Sequence, residues 1–248
     1  MLENSNLDNA SKLGNMAAQE EEDTSSLQIN LLVSGCVRAY IEMPSEIVST
    51  IFDFSRQITV PNVNEYFFKV IILGPAASGK TCVGAQFCGD EVPKDYKPTI
   101  GADFLTKEVA VKVDLFTRQT VLAQLWDTTG QERLRAFAVP FYRESDAVIY
   151  VLDVTEKDSL EQLDKSRAAF LQECDTTDSP EDIPSVLLAN KCDLLSEQPR
   201  QVSSNDAREY AESNGMVFYD NVSAKTGANV EAAIHGLLLK TLQIHGIC

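Results

Sequence analysis

Gly74-Pro75-Ala76-Ala77-Ser78-Gly79-Lys80-Thr81 sets a lysine and a hydroxyl directly behind a glycine-bounded loop, in the pattern G-x-x-x-x-G-K-[ST]. A phosphate chain needs several N–H donors converging on it, so the backbone has to approach closely and turn sharply, which Gly74 and Gly79 permit. Ala77 and Ser78 add N–H groups to the cradle. Lys80 then reaches the β- and γ-phosphates and Thr81 offers its hydroxyl to Mg²⁺. The following helix, with Cys82 in its first turn, points its positive dipole end at the anion. Alone, the same string also reads as a glycine turn ahead of an amphipathic helix.

Two further strings bear on the same chemistry. Asp127-Thr128-Thr129-Gly130-Gln131-Glu132 follows an apolar run ending at Trp126, which puts Asp127 where it holds Mg²⁺, Gly130 where it closes on a γ-phosphate and Gln131 where it orients an attacking water. By itself that string is ordinary turn punctuation. Asn190-Lys191-Cys192-Asp193 closes the run Val186-Leu187-Leu188-Ala189. A carboxylate such as Asp193 accepts from the N1–H and exocyclic amine of guanine, whereas adenine offers no matching donor pair. Lys191 lays its aliphatic stem on the base, and Ser223-Ala224-Lys225 adds a backbone N–H aimed at the guanine oxygen. Taken singly each is a plausible loop; their order and spacing behind the lysine loop point to a guanine nucleotide.

The elements that must position these residues are strands alternating with amphipathic segments. Strands are predicted near 66–73, 103–115, 119–126, 147–153, 185–190 and 216–221, and helices near 79–88, 131–143, 158–174, 204–214 and 228–244. Runs such as Ala147-Val148-Ile149-Tyr150-Val151-Leu152 are apolar throughout, as a parallel sheet covered on both faces requires. The fold expected is α/β: three α/β/α layers around a mainly parallel six-stranded sheet, with ligands at the carboxyl ends of the strands. Residues 64–246 form this domain. Residues 1–26 read as a disordered acidic tail, and residues 27–63 as an extension holding a strand near Leu27–Val33 and an amphipathic helix opening at Pro44.

Across 248 residues, 44% are hydrophobic, enough for a sizeable core. A formal net charge of −16 argues against direct nucleic-acid binding and against electrostatic attachment to anionic lipid, both of which need clustered Lys and Arg. The six cysteines are scattered without C-x-x-C pairs, and no apolar span reaches roughly 18 residues, so a reduced, cytosolic protein is expected. The second residue, Leu2, excludes an N-myristoylation signal.

From about Phe67 to Ile244 the chain resembles the Ras superfamily of small GTPases, and within it a Rab. Ile100-Gly101-Ala102-Asp103-Phe104 is similar to the family's I-G-x-D-F, Leu125 to Arg133 to its W-D-T-A-G-Q-E-R, and Phe141-Tyr142-Arg143 to its Y-Y-R. The resemblance implies that Thr99 binds Mg²⁺ and γ-phosphate, joining Thr81 and Asp127 as metal ligands. It implies that Lys80, Gly130 and Gln131 carry hydrolysis of GTP to GDP, and that Phe104, Trp126 and Phe141 report the nucleotide state to effectors. It further implies an exchange factor, a GTPase-activating protein, a role in vesicle trafficking and peripheral association with endomembranes. No arginine is evidently placed in cis, so intrinsic turnover should be on the order of 10⁻⁴ to 10⁻³ per second.

The departures are local. Ala76 and Ala77 stand where such loops often carry glycine, Thr129 replaces a small alanine and is expected to crowd the γ-phosphate, and Val92 stands where an aromatic ring usually covers the guanine. The last helix runs almost to Cys248, a single cysteine where Rabs carry two, so prenyl anchoring has little support. Two other readings stay open: a P-loop kinase, which has no use for Asn190 and Asp193, and a hydrolysis-impaired scaffold acting through residues 27–63.

Overall fold

The structure, a computed structural model, describes residues 26–33, 37–44, 65–93, 98–99, 101–114, 117–131, 138–174 and 183–247. Its strands are β1 (Ser26–Val33), β2 (Val37–Pro44), β3 (Glu65–Leu73), β4 (Ala102–Lys112), β5 (Arg118–Thr128), β6 (Ala147–Asp153), β7 (Ser185–Asn190) and β8 (Val217–Tyr219). The helices are α1 (Lys80–Cys88), α2 (Ser159–Glu173), α3 (Ser204–Ser213) and α4 (Val230–Ile244). All eight strands join one sheet in the order β2-β1-β4-β5-β3-β6-β7-β8, antiparallel at β1–β2 and β4–β5 and parallel elsewhere. The six strands from β3 to β8 are those the sequence predicts.

Continuous apolar runs make this sheet because both faces are covered. Along β3, Phe68, Val70 and Ile72 enter one core with Val83 and Phe87 of α1 and Ile234 and Leu238 of α4. Ile71 and Leu73 point the other way, into a second core with Leu163 and Phe170 of α2 and Ala207 and Ala211 of α3. At roughly 1.5–3 kcal/mol for each fully buried large apolar side chain, these two layers dominate the fold's stability. They also fix the carboxyl ends of β3, β5, β6 and β7 side by side.

Two sequence expectations change. The strand near 216–221 stops at Tyr219, because the Asp220 carboxylate is drawn to Arg200 and Ser204 and Asn221 takes a positive φ of 53°. The helix near 131–143 is absent where the chain is described: Gln131 is not helical, and Val139–Phe141 is a short 3₁₀ turn built on Pro140, which lacks the N–H that a longer helix needs. Residues 132–137 lie outside the described part. Val37–Pro44 is a strand that the sequence reading did not include, and this β2 pairs with β1 in a hairpin whose first strand lies parallel to β4 at Ala102–Phe104. The helix expected after Pro44 and the acidic tail before Ser26 fall outside the described residues.

Candidate functional site

The lysine loop leaves β3 at Leu73 and enters α1 at Lys80. Gly79 caps α1 with φ at 101°, and a Cβ there would collide with the side-chain amide of Asn190. Only glycine satisfies both demands. No side chain caps the helix and none of its first-turn residues is acidic, so its leading N–H groups face the loop without a competing anion. Ala77 also adopts a positive φ, 61°. Lys80 is almost fully buried and folds back over the loop, its Nζ donating to the carbonyls of Gly74 at 3.0 Å and Pro75 at 2.7 Å. Burial lowers its pKa to about 8, with the charge of Asp127 working in the opposite direction.

Three oxygen-bearing side chains meet beside it. Thr81 Oγ1 donates to Asp127 Oδ2 at 2.5 Å, Thr99 Oγ1 donates to the same oxygen at 3.2 Å, and the two hydroxyls lie 3.3 Å apart. Asp127 is 2% exposed. Desolvation raises its pKa, opposed first by Lys80 and then by the two hydroxyls. Its other oxygen, Oδ1, is buried without a hydrogen-bond partner. A buried carboxylate with one orphaned oxygen, flanked by two hydroxyls, has the all-oxygen chemistry of a hard divalent cation site.

Gly130 closes the same space from the end of β5. A Cβ on it would lie 2.6 Å from Ala76 N and 2.7 Å from Ala76 Cα, and would collide with Lys80 Nζ. The Thr129 N–H donates to Gly101 O at 3.0 Å, and Thr129 Oγ1 accepts the Gln131 N–H at 3.2 Å. Thr129 therefore meets its neighbours through hydrogen bonds, where the sequence suggested crowding alone.

At the other end, Asn190 bridges two loops: Nδ2 donates to Ser78 O at 2.8 Å and Oδ1 accepts the Ala224 N–H at 2.9 Å. The Ala224 N–H therefore faces Asn190. Ser223 donates its hydroxyl proton to Asp193 Oδ1 at 2.6 Å, which orients the carboxylate. Lys191 takes a positive φ of 68° and pairs with Asp153 Oδ2 at 2.5 Å. Asp153 belongs to no motif in the sequence, yet it ends β6 as Asn190 ends β7, and Asp127 stands one residue before the end of β5. Lys225 is exposed and Val92 is half-buried in the loop after α1. The loop, Asp127, Thr99 and Gly130 gather at one end of the site, and Asn190, Lys191, Asp193, Ser223 and Ala224 at the other. Phe104, Trp126 and Phe141 stack in series at 5.2 and 5.0 Å, with Trp126 and Phe141 in the core and Phe104 partly exposed.

The model of the Ras family matches residues 69–243 of this sequence. The chain belongs to the Ras family. Its relatives include the Ras-related protein RABG3f of Arabidopsis thaliana, 42% identical over 70% of this chain and 82% of that protein. The Ypt/Rab-type GTPase ypt7 of Schizosaccharomyces pombe is 43% identical over 68% of this chain and 79% of its own length. The Ras-related protein Rab7 of Pisum sativum is 39% identical over 74% and 86%. The chain is thus a Rab-like small GTPase of the Ras superfamily, one that binds GTP and GDP and hydrolyses the first to the second. Among the described residues, no helix of this GTPase is long and apolar enough to cross a membrane.

Proposed function

We propose that this Rab-like GTPase is a switch in vesicle traffic whose nucleotide state is set by the residues gathered around Asp127. The observation that carries the reading is the convergence of Thr81 and Thr99 on one oxygen of Asp127 while its other oxygen stays orphaned. Thr81, Thr99 and Asp127 would hold Mg²⁺, which supplies charge neutralisation at the β- and γ-phosphates. Thr99 comes from the segment before β4 and Gly130 from the segment after β5, so a γ-phosphate touching both would order both loops, and its loss would release them.

Hydrolysis adds a water oxygen to the γ-phosphorus and breaks the bond from that phosphorus to the β–γ bridging oxygen. The water's proton passes to the released phosphate, and GDP keeps the bridging oxygen. Lys80 steadies the charge on the phosphates, the Gly130 N–H meets the γ-phosphoryl group, and Gln131 orients the water. Asp193 selects guanine through its donor pair and Lys191, held by Asp153, covers the base. Effectors would read Phe104, whose ring is coupled through Trp126 to Phe141, and peripheral attachment to endomembranes completes the reading. Displacement of bound labelled GDP by GTP and ATP, followed by single-turnover phosphate release, tests it. GTP should displace and ATP should not, with slow release of phosphate; equal displacement by ATP would overturn it.

A further inference from the structure

The segment Ala102–Phe104 opens β4 just after Thr99 and Gly101, and it lies between two other strands. On one side it pairs antiparallel with β5, with Ala102 opposite Thr128, Asp103 opposite Asp127 and Phe104 opposite Trp126. On the other it takes β1 in parallel, with Ile29 opposite Ala102, Asn30 opposite Asp103 and Leu31 opposite Phe104. Beyond Phe104 that second side of β4 has no strand partner among the described residues. The hairpin of β1 and β2 therefore meets β4 along the stretch that leads from Thr99 to the half-buried ring of Phe104.

The pairings on the two sides of β1 differ in extent. β1 and β2 pair along their whole length, from Ser26 opposite Pro44 to Val33 opposite Val37, whereas β1 meets β4 only at Ala102, Asp103 and Phe104, in the parallel arrangement that is the less stable per residue. A two-stranded hairpin alone is marginal in water, so β1 and β2 depend on the β4 edge. β4 does not depend on them in turn, because it pairs with β5 along its whole length, from Ala102 opposite Thr128 to Lys112 opposite Arg118. A strand edge left open is a template for any chain that offers an extended backbone. Residues 45–64 join β2 to β3, so a hairpin that leaves the edge stays attached and returns at an effective concentration on the order of 1 mM.

We propose that the β4 edge beside Phe104 is a strand-accepting site whose resident occupant is the chain's own hairpin of β1 and β2. A partner that approaches Phe104 by adding an extended strand to β4 has to displace the hairpin, which makes the hairpin a built-in competitor. The consequence for effectors rests on the switch reading above, whereas the strand pairing stands apart from it.

The test breaks the backbone pairing and offers the hairpin back in trans. Asn30→Pro combined with Leu31→Pro removes two successive N–H groups of β1, one directed at each neighbouring strand. Hydrogen–deuterium exchange is followed on the full chain, together with binding of a fluorescent synthetic peptide spanning residues 26–44. Wild type should protect amides in β1 and at 102–104, and the proline variant should lose protection in both places while β3 and β6 keep theirs. The peptide should bind the proline variant with a Kd of roughly 100 µM or tighter and restore protection at 102–104. It should bind wild type at least about tenfold more weakly, as a tethered competitor at that effective concentration requires, and a peptide carrying the same two substitutions should not bind. Unprotected β1 amides in wild type, unchanged exchange at 102–104 in the variant, or equal binding of the peptide to both proteins would overturn the proposal. So would a proline variant that fails to fold, because the hairpin would then be a fixed part of the fold and not a displaceable occupant. Displacement of GDP by ATP would instead strike the switch reading and leave the pairing standing.

Discussion

Asn190 ties itself to Ser78 across 112 positions of sequence, its side-chain amide donating to the Ser78 carbonyl at 2.8 Å inside the protein. Through the same side chain the Ala224 N–H is held, so one amide spans the lysine loop, the end of β7 and the loop after β8. The contact makes the phosphate end and the base end of the site one rigid unit. Asn190→Ala leaves a buried carbonyl and a buried N–H unpaired, at about 1–3 kcal/mol each. GDP release should quicken by about tenfold or more, as followed with a fluorescent GDP analogue. Unchanged release would mean that the two ends hold nucleotide independently.

Asp193→Asn tests the base. Ser223 occupies one carboxylate oxygen and thereby aims the other. An amide in its place presents a donor where guanine also donates, so GDP affinity should fall by roughly 2 kcal/mol or more while the melting temperature of the nucleotide-free protein stays near wild type. Competition binding with GDP, GTP and ATP provides the measurement, and undiminished GDP affinity would remove Asp193 from the base site.

The strands and the loop at 74–81 were legible because they rest on local rules: apolar runs for a sheet covered on both faces, and glycines where the backbone must approach another group. What was not legible depends on partners distant in sequence. The Arg200 and Ser204 contacts that turn the chain at Asp220 lie 20 and 16 residues away, and the pairing of Lys191 with Asp153 spans two strands. The β2 strand has a local signal in the sequence, with Val37, Ala39, Ile41 and Met43 alternating against Arg38, Tyr40 and Glu42. Proline suits the first turn of a helix and equally the end of an edge strand, which is where Pro44 stands. Pro140 sits inside the span 131–143 whose apolar spacing suggests a helix, and its missing donor opposes one there.

Ala77 carries strain that a neighbouring alanine does not. Its φ of 61° lies in the left-handed region, which costs an L-residue about 1–2 kcal/mol, and Ala76 is not among the positive-φ residues. Ala77→Gly relieves that strain at some cost in chain entropy, for a net gain of about 0.5–1 kcal/mol and a rise of about 2 °C in melting temperature. Ala76→Gly should give no rise. Thermal unfolding of both variants in the presence of GDP tests the pair, and equal behaviour would refute the assignment of strain to Ala77.

Chelation of divalent cations should speed GDP release by at least about tenfold, because the phosphates would then face Asp127 without a neutralising charge. Thr81→Asn, which replaces one converging hydroxyl with a larger amide, should release GDP quickly even with Mg²⁺ present and respond little to a chelator. Release rates with and without EDTA give the answer. A wild-type protein indifferent to EDTA would show that the three oxygens around Asp127 serve only one another.

Gly130→Ala distinguishes a sensor of the γ-phosphate from a packing glycine. The added methyl group would lie 2.6 Å from Ala76 N and collide with Lys80 Nζ, so the segment from Thr129 to Gln131 has to move outward. Outward movement costs little when GDP is bound, since a diphosphate has no group that reaches this segment. With GTP it separates the Gly130 N–H from the γ-phosphoryl group and carries Gln131 away from the attacking water. Overpacking of this kind costs about 1–3 kcal/mol, which places the expected loss of GTP affinity at about tenfold or more, with hydrolysis slowed at least as much. GDP affinity should stay within about threefold of wild type, because the P-loop, Asn190 and Asp193 are untouched. Calorimetric titration of both nucleotides, with single-turnover hydrolysis, resolves the two cases. A parallel loss for GDP and GTP would mean that Gly130 supports the loop at Ala76 and takes no part in sensing the third phosphate.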